Sequence, residues 1–388
     1  MVFLKILVAM LLFSSDSDDK FSELIEKATA DNATVRGKAV LELGAALGSI
    51  TDPEQQKTAA ETLIDAIADR VELVSHSARL RMAEHPALIN KHLGPYFEKE
   101  GFTSFGKACE TIKVVGADAR IWLPQLMKEL AKDDRNFKLA ALHAMRALDG
   151  KDLLPALDET IKALDHKDFN VQLSACRVIE KIGPEAKKAG PRLVKLLEEG
   201  IASARSWAGV ALGAIGPHED YDVVKLLEER LDRFYLVDRE RALIGLAHLG
   251  DKAKSVVPKI ETLMEQRSKS VQHVASRTHW KVTGDPAKAI ERLTTLIPTM
   301  EFGAESMDIL GEMGPDAKAA VPVIIKQLES EEFPAREAAV YALASMGSVA
   351  KSAIEPLKRL AKTERDHLIR AATEMAIEKI NGEQEAEK

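Results

Sequence analysis

The sequence predicts an all-α protein, a right-handed α-solenoid (an α-α superhelix) of about eleven helix-turn-helix repeats of 33–34 residues. Glycine recurs along most of the chain at intervals of 30 to 35 residues. Between these glycines, apolar residues recur at positions i, i+3, i+4 and i+7, a spacing that predicts helices with one buried face. Such an array offers a long surface, so binding is the first functional hypothesis. The recurring glycines are Gly116, Gly150, Gly183, Gly216, Gly250, Gly284, Gly314, Gly347 and Gly382.

A proline forms a second landmark, eight residues after several of the glycines. It opens a short apolar run, which predicts the first helix of each repeat, and a polar turn such as Asp165–Asp168 follows. A second amphipathic run then ends at the next glycine, which tolerates the left-handed conformation that closes many helices. The predicted unit is therefore first helix, turn, second helix and tight glycine turn. The landmark pairs are Gly116 with Pro124, Gly183 with Pro191, Gly250 with Pro258 and Gly314 with Pro322.

Four features of the repeat identify a resemblance: the glycine, an Ala-Lys pair after it, the proline of the first helix, and a Val-Arg pair at the start of the second helix. Together they resemble HEAT repeats, specifically the short bacterial HEAT-like type also found in phycobilisome lyase subunits. The resemblance covers residues 20–382. It implies an α-solenoid, and it implies no single activity, because such arrays serve as scaffolds, adaptors, chaperones and a few enzymes.

The repeat pattern weakens in two places. The third repeat contains Gly94-Pro95 and Gly101, so its first helix is predicted to be irregular. The ninth repeat is shorter than the others. A bend or change of pitch is expected near residues 86–104 and 284–303.

Composition restricts the partner and the core. Apolar residues make up 46% of the chain and aromatic residues only 5%, so Ala, Leu, Ile and Val must form the core. The net charge of −7 argues against a nucleic-acid partner, since such binders usually carry a basic balance. Cys109 and Cys176 occupy the same slot of two repeats, with one repeat between them, and are predicted to be core residues without a disulfide.

The first residues differ from the rest of the chain. Residues 1–15 contain one lysine, an apolar run and then a polar stretch, which resembles a secretory signal peptide. The sequence therefore predicts an exported protein, periplasmic or extracellular; the alternatives are a buried first helix, an uncleaved anchor, or a cytoplasmic protein. No other segment is predicted to span a membrane. The repeat array is predicted over residues 16–382, with a charged tail at 383–388.

A ladder of charged residues marks the start of the second helices. We interpret it as structural, with Asp capping a helix and Arg bonding to neighbouring turns. The alternative is a basic row that faces a ligand. The basic members are Arg36, Lys138, Arg205, Arg239 and Arg336, and the preceding acids are Asp31, Asp134, Asp168 and Asp238. The ladder is interrupted at Phe105, Gln172, Gln272, Gly303 and Ile369.

Two clusters on the predicted concave face of the second helices are candidate binding sites. The first contains His143, Arg146 and Arg177, and the second contains His273, Arg277 and Trp280, with Tyr341 two repeats further on. Arginine and aromatic side chains are enriched at binding hot spots. The alternative is that these charges only solvate a groove. Trp207 and Trp122 are interpreted as packing residues.

The sequence therefore predicts a non-enzymatic scaffold or adaptor that binds a protein or peptide along its concave face. Metal-binding and nucleophile signatures are absent from the sequence, which contains one His-Glu pair, His218-Glu219. No cofactor, metal site or catalytic residue is predicted. The alternative function is an enzyme-associated, lyase-subunit-like protein that holds a small cofactor or a modified polypeptide in the groove.

Overall fold

The described structure, a computed structural model, covers residues 17–299 and 301–382 and confirms the predicted all-α fold. Over these residues it consists of α-helices, short 3-10 segments and turns, without a strand. No helix in the described ranges is long and apolar enough to cross a membrane. The predicted signal peptide at 1–15 and the charged tail at 383–388 lie outside the described residues.

The chain divides into two compact units, Met1–Ala208 and Gly209–Lys388. The helices of the first unit are α1 (Ser17–Ala28), α2 (Ala33–Ala46), α3 (Pro53–Ala66), α4 (Glu72–Met82), α5 (Pro86–Lys91), α6 (Gly94–Glu98), α7 (Phe102–Val115), α8 (Leu123–Ala131), α9 (Arg135–Met145), α10 (Leu157–Ala163), α11 (Phe169–Ile182) and α12 (Gly190–Glu199). The boundary between the units falls within α13 (Ala202–Ile215).

The helices of the second unit are α14 (Val223–Glu228), α15 (Leu236–Leu249), α16 (Val257–Met264), α17 (Lys269–Thr283), α18 (Ala287–Leu296), α19 (Gly303–Met313), α20 (Val321–Gln327), α21 (Phe333–Met346), α22 (Ile354–Thr363) and α23 (His367–Asn381).

Each unit is a stack of helix pairs in two layers. In the first unit α9 packs between α7 and α11, and α2 packs against α4. In the second unit α15 packs against α17, and α21 packs between α19 and α23. The first helices contact their own second helices, as α8 contacts α9 and α16 contacts α17. The predicted helix-turn-helix unit is confirmed, whereas a single array over residues 16–382 stays a prediction.

Most glycines that close the second helices have a positive φ, as expected, with φ of 70° at Gly116 and 74° at Gly183, but the ψ of −139° at both lies outside the left-handed helical region that Gly284 adopts. Gly150 is the exception, because its φ is not positive. A Cβ atom at Gly150 would instead overlap the backbone carbonyl oxygen of Lys181. The same residue type therefore meets a conformational requirement at most of these positions and a steric one at Gly150.

The predicted tight glycine turn is wrong in one respect. The glycine opens a 3-10 segment that leads into the next first helix. After four of these segments a proline occupies one of the first two positions of that helix, where its missing N–H is no loss, whereas Pro155 lies inside the segment Gly150–Ala156 itself. These segments are Gly116–Trp122, Gly150–Ala156, Gly183–Ala189, Gly250–Val256, Gly314–Ala320 and Gly347–Ala353.

The predicted helix caps are confirmed in part. Asp134 accepts hydrogen bonds from the N–H groups of Asn136 and Phe137, and Asp168 caps α11 in the same way. The prediction is wrong for Asp31, because Asn32 caps α2 instead. It is also wrong for Asp238, which lies buried inside α15 and precedes no helix start.

Four further local predictions are confirmed. The predicted irregular first helix of the third repeat is replaced by the two short helices α5 and α6. Ala, Leu, Ile and Val dominate the buried residues. Cys109 and Cys176 are free and buried, and burial raises the pKa of both thiols. Trp122 packs on Phe97 with the ring centroids 5.1 Å apart.

We expect Gly150→Ala to lower the free energy of unfolding by about 1–3 kcal/mol, because the new methyl group forces a backbone shift. Gly106→Ala is the matched control, since Gly106 lies inside α7 and its Cβ would meet only Phe102, at 3.9 Å. That control should gain roughly 0.4–1 kcal/mol. Urea unfolding followed by circular dichroism measures both, and equal effects would contradict the steric role of Gly150.

Candidate functional site

The first predicted cluster lies on two neighbouring second helices of the first unit. His143 is in the last turn of α9, Arg146 caps the C-terminal end of that helix, and Arg177 lies on α11. His143 is exposed, and both arginines are half-buried. The repeat therefore brings residues that are 31 or more positions apart in sequence onto one face, as the glycine register predicts.

A fourth residue, Trp207, completes this cluster. The guanidinium carbon of Arg177 lies 4.6 Å from the ring centroid of Trp207, over the face of the indole. Trp207 is half-buried on α13, in the part of that helix that belongs to the first unit. The sequence-based interpretation of Trp207 as a packing residue missed this contact, which gives Arg177 a flat, polarizable support. Hereafter the basic-aromatic cluster means His143, Arg146, Arg177 and Trp207.

The two arginines of the basic-aromatic cluster have no ion-pair partner. In the described part of the chain, no carboxylate oxygen lies within 4.0 Å of either guanidinium group. Burial and the nearby charge of Arg177 lower the pKa of Arg146, and Glu180 acts against this shift. The Arg146 backbone carbonyl accepts a hydrogen bond from Lys181 Nζ at 2.6 Å, which adds a third cation. The cluster is thus a positively charged site with unused donors.

His143 differs from its neighbours in charge. Its Nε2 lies 3.1 Å from the hydroxyl oxygen of the buried Ser174. Burial lowers the pKa of His143, and the charges of Arg146, Lys113 and Arg177 lower it further. His143 is therefore neutral near pH 7, and it contributes a hydrogen-bonding ring rather than another positive charge.

In the second predicted cluster, the charge of Arg277 is already neutralised by a carboxylate of the same chain. Arg277 on α17 donates two hydrogen bonds to Glu312 on α19, at 2.7 and 3.0 Å. Lys281 pairs with the same carboxylate at 2.9 Å and also lies over the ring of Trp280, 4.1 Å from its centroid. Because the Glu312 carboxylate already pairs with its guanidinium group, Arg277 is less able to pair with a partner than Arg146 or Arg177. Sequence reasoning missed Glu312 and Lys281, since both lie outside the counted helix positions.

The other members of the second cluster are dispersed. His273 stacks on Phe302 with ring centroids 5.2 Å apart. Trp280 packs against the apolar core of the second unit. Tyr341 lies on α21 with 53% of its surface exposed, and no described residue forms a hydrogen bond with its hydroxyl. The structure thus places these residues in separate packing environments, and their binding role stays a prediction.

Glu312 and Asp308 experience opposite electrostatic environments on the same helix, α19. Burial disfavours the ionised form of Glu312, but the hydrogen bonds and charges of Arg277 and Lys281 outweigh it and lower its pKa to about 2. Asp308 lacks such cations, and burial together with Glu305 and Glu337 raises its pKa. Among the described residues, no group of His, Cys, Asp and Glu could hold a metal ion.

One comparison with known families agrees with the repeat over part of the chain. Residues 302–378 match the family model described as HEAT repeats, which confirms the HEAT-like resemblance for that region. Among solved structures, the chain is similar to an engineered protein from the Northeast Structural Genomics Consortium. The two are 19% identical, with 93% of this chain and 98% of that chain covered and a TM-score of 0.44. No curated protein matches the chain.

We expect Glu312→Gln and Asp308→Asn to change stability in opposite directions at pH 7. Because the pKa of Glu312 is lowered, its ionised form adds stability above pH 4.5, which is lost as the pH falls through about 2. Glu312→Gln should therefore destabilise the protein at pH 7, and this deficit should shrink below pH 4.5. Urea unfolding of the variant and the wild type between pH 7 and pH 3 measures the difference.

Asp308→Asn is the matched control for that measurement. The raised pKa of Asp308 means that ionisation costs folded-state stability at pH 7. The neutral variant should therefore be more stable than the wild type at pH 7, and the gain should disappear as the pH falls below 3.8. A pH-independent difference for either variant would argue against this electrostatic account.

Proposed function

We propose that this protein is a non-enzymatic scaffold that binds a protein or peptide segment at the basic-aromatic cluster. One observation carries the proposal: Arg146 and Arg177 are half-buried cations without a carboxylate partner among the described residues. Partly desolvated charges are costly when unpaired, so proteins rarely keep them without a use. A partner carboxylate supplies the missing counter-charge.

The chemistry of the cluster favours an acidic segment that also contains apolar residues. A guanidinium group binds a carboxylate through two parallel hydrogen bonds, which gives geometric selectivity. Trp207 holds the guanidinium of Arg177 from one face, so that its edge remains available. An anionic partner also relieves the repulsion between Arg177 and Arg146 that lowers the pKa of Arg146. Arginine and tryptophan together are typical of binding hot spots.

His143 adds a neutral contact to the cluster. With a lowered pKa, its ring offers a hydrogen bond without adding to the positive charge at pH 7. The arrangement therefore suits a partner that carries one or two carboxylates beside a neutral polar group.

The second cluster, with Arg277, Trp280 and Tyr341, is less suited to this role. Arg277 would have to release Glu312 before it binds a partner, at the cost of two hydrogen bonds. Arg146 and Arg177 require no such exchange. The observations favour the first unit as the main binding site.

We expect Arg146→Ala and Arg177→Ala each to weaken partner binding by about 10- to 30-fold, the usual loss at a hot spot. Quantitative pull-downs from a lysate of the native source, with mass spectrometry, identify partners that wild type enriches and the variants lose. Titration with the recovered partner then measures the affinities. Arg177→Lys should restore little of the binding affinity, since lysine keeps the charge but loses the planar stacking on Trp207.

The control is Lys187→Ala, which removes an exposed cation from the 3-10 segment Gly183–Ala189, outside the second helices. It should bind the partner as the wild type does. If Arg146→Ala and Arg177→Ala retain every partner at wild-type affinity, the proposed site is wrong. Loss of binding in Arg277→Ala alone would instead return the site to the second unit.

A further inference from the structure

The ladder arginines show how this chain itself binds a guanidinium group. Arg36 is the fourth residue of α2 and donates from Nη1 to the backbone carbonyls of Ala30 and Asp31, both at 2.8 Å. Its Nε and Nη2 donate to the carboxylate of Asp69 at 2.9 and 3.1 Å. One guanidinium group therefore joins the turn before its own helix to the following turn.

Arg336, the fourth residue of α21, repeats this arrangement in the second unit. It donates to the carbonyls of Ser330 and Glu331 at 3.0 Å each and to the carboxylate of Glu364 at 2.7 and 3.4 Å. The acceptors are thus two carbonyls, six and five residues before the arginine, and a carboxylate in the next turn. Two independent repeats define the same binding geometry.

Gln172 takes the arginine position in α11, where it is also the fourth residue of the helix. The corresponding carbonyls are those of His166 and Lys167, and the next first helix, α12, ends in the carboxylate of Glu199, one residue before the position that Glu364 occupies. Within the described ranges, no donor bonds to either carbonyl or to the Glu199 carboxylate, and the Gln172 amide has no hydrogen-bond partner. The acceptors of a ladder arginine are therefore present without the arginine.

An open pocket of about 720 Å³ lies at this position, lined by both Gln172 and Glu199. Asp165, another lining residue, is already paired with Arg192. Lys195 precedes Glu199 by one helical turn, but its ammonium group lies beyond the 4.0 Å ion-pair distance from that carboxylate. Glu199 is thus the carboxylate in the pocket that remains available to a cation.

We propose that this pocket binds a guanidinium group supplied from outside the chain, namely an arginine side chain of a bound protein or peptide. The incoming group takes the place that Arg36 and Arg336 fill in their own repeats. Its planar donors suit the Glu199 carboxylate, which lines the pocket, and the carbonyls of His166 and Lys167, which follow the lining residue Asp165 and precede Gln172 by six and five residues. The site is separate from the basic-aromatic cluster and does not depend on it.

Exposed apolar side chains next to the pocket suit the residues that flank such an arginine. Ile201 follows the lining residue Gly200 and is 53% exposed, and Phe169, one turn before Gln172, is 41% exposed. The pocket is also larger than one guanidinium group needs, so it has room for neighbouring atoms of a peptide. A peptide with arginine beside an apolar residue fits this surface best.

The test uses N-acetyl-L-arginine amide as the probe, titrated into the full chain and followed by chemical-shift changes in amide NMR spectra. We expect binding with a Kd on the order of millimolar, the range of a single small ligand, and shifts concentrated at the lining residues. N-acetyl-L-citrulline amide, the neutral analogue of the same shape, should bind at least about tenfold more weakly, because it lacks the charge.

Three variants separate this site from general attraction of a cation to an acidic protein. Gln172→Arg supplies the guanidinium from within the chain, so it should abolish probe binding and raise the Tm. Glu199→Gln should weaken binding of the probe at least about tenfold. Glu198→Gln is the matched control, because it removes the same charge from the adjacent exposed residue outside the pocket lining, and it should bind as wild type does.

The proposal is overturned if the probe produces no shifts at the lining residues. It is also overturned if the citrulline and arginine probes bind with equal affinity, or if the Gln172→Arg variant still binds the arginine probe. Equal loss of probe affinity in Glu198→Gln and Glu199→Gln would overturn it as well. None of these outcomes depends on Arg146 or Arg177, so failure here is distinguishable from failure of the proposed function.

Discussion

The structure depends on one backbone constraint, the glycine of positive φ that ends most of the second helices. At Gly116 the N–H group bonds back to the carbonyl of Ile112, and the chain leaves the helix at a φ of 70°. Residues with a Cβ adopt this conformation only at a cost, so the glycine stops the helix at a defined position. A 3-10 segment follows Gly116, Gly183, Gly250, Gly314 and Gly347, and after each of these the next first helix starts at the same distance from the glycine. Positions counted from the glycine therefore recur on equivalent faces of successive helices.

The second organising interaction is the bonding of ladder arginines to turns. Arg36 and Arg336 each donate four hydrogen bonds to their own chain, so they stabilise neighbouring turns. Arg146 and Arg177 belong to the same residue type and have no such acceptors among the described residues. What separates a paired arginine from an unpaired one is therefore whether a carboxylate from a neighbouring repeat reaches it. Glu312 does so for Arg277, which explains why the two predicted clusters differ.

Much of the fold was predictable because it rests on local rules. Helix periodicity, glycine closure and proline at the helix start act within a few residues, and the helix pairs follow from them. Gly150 and Asp238 were misjudged because contacts outside the local pattern decide their roles. Gly150 lies against the Lys181 carbonyl, and Asp238 lies inside α15 rather than before it. The candidate site was only half predictable: its arginines have the right register, but the contact with Trp207 depends on the separation of α11 and α13.

The sequence by itself determined the helices, their pairing, the ladder and the residues that share a second-helix face. These features repeat with a fixed period, and a period is visible without coordinates. The tertiary structure decided which of those charged residues are already paired within the chain, because the pairing side chain comes from a different repeat. Glu312 lies 35 residues from Arg277, and Glu199 is the last residue of α12, the first helix of the repeat after Gln172. Whether a charged side chain is paired depends on the distance between its atoms and those of a neighbouring repeat, and the register alone does not determine that distance.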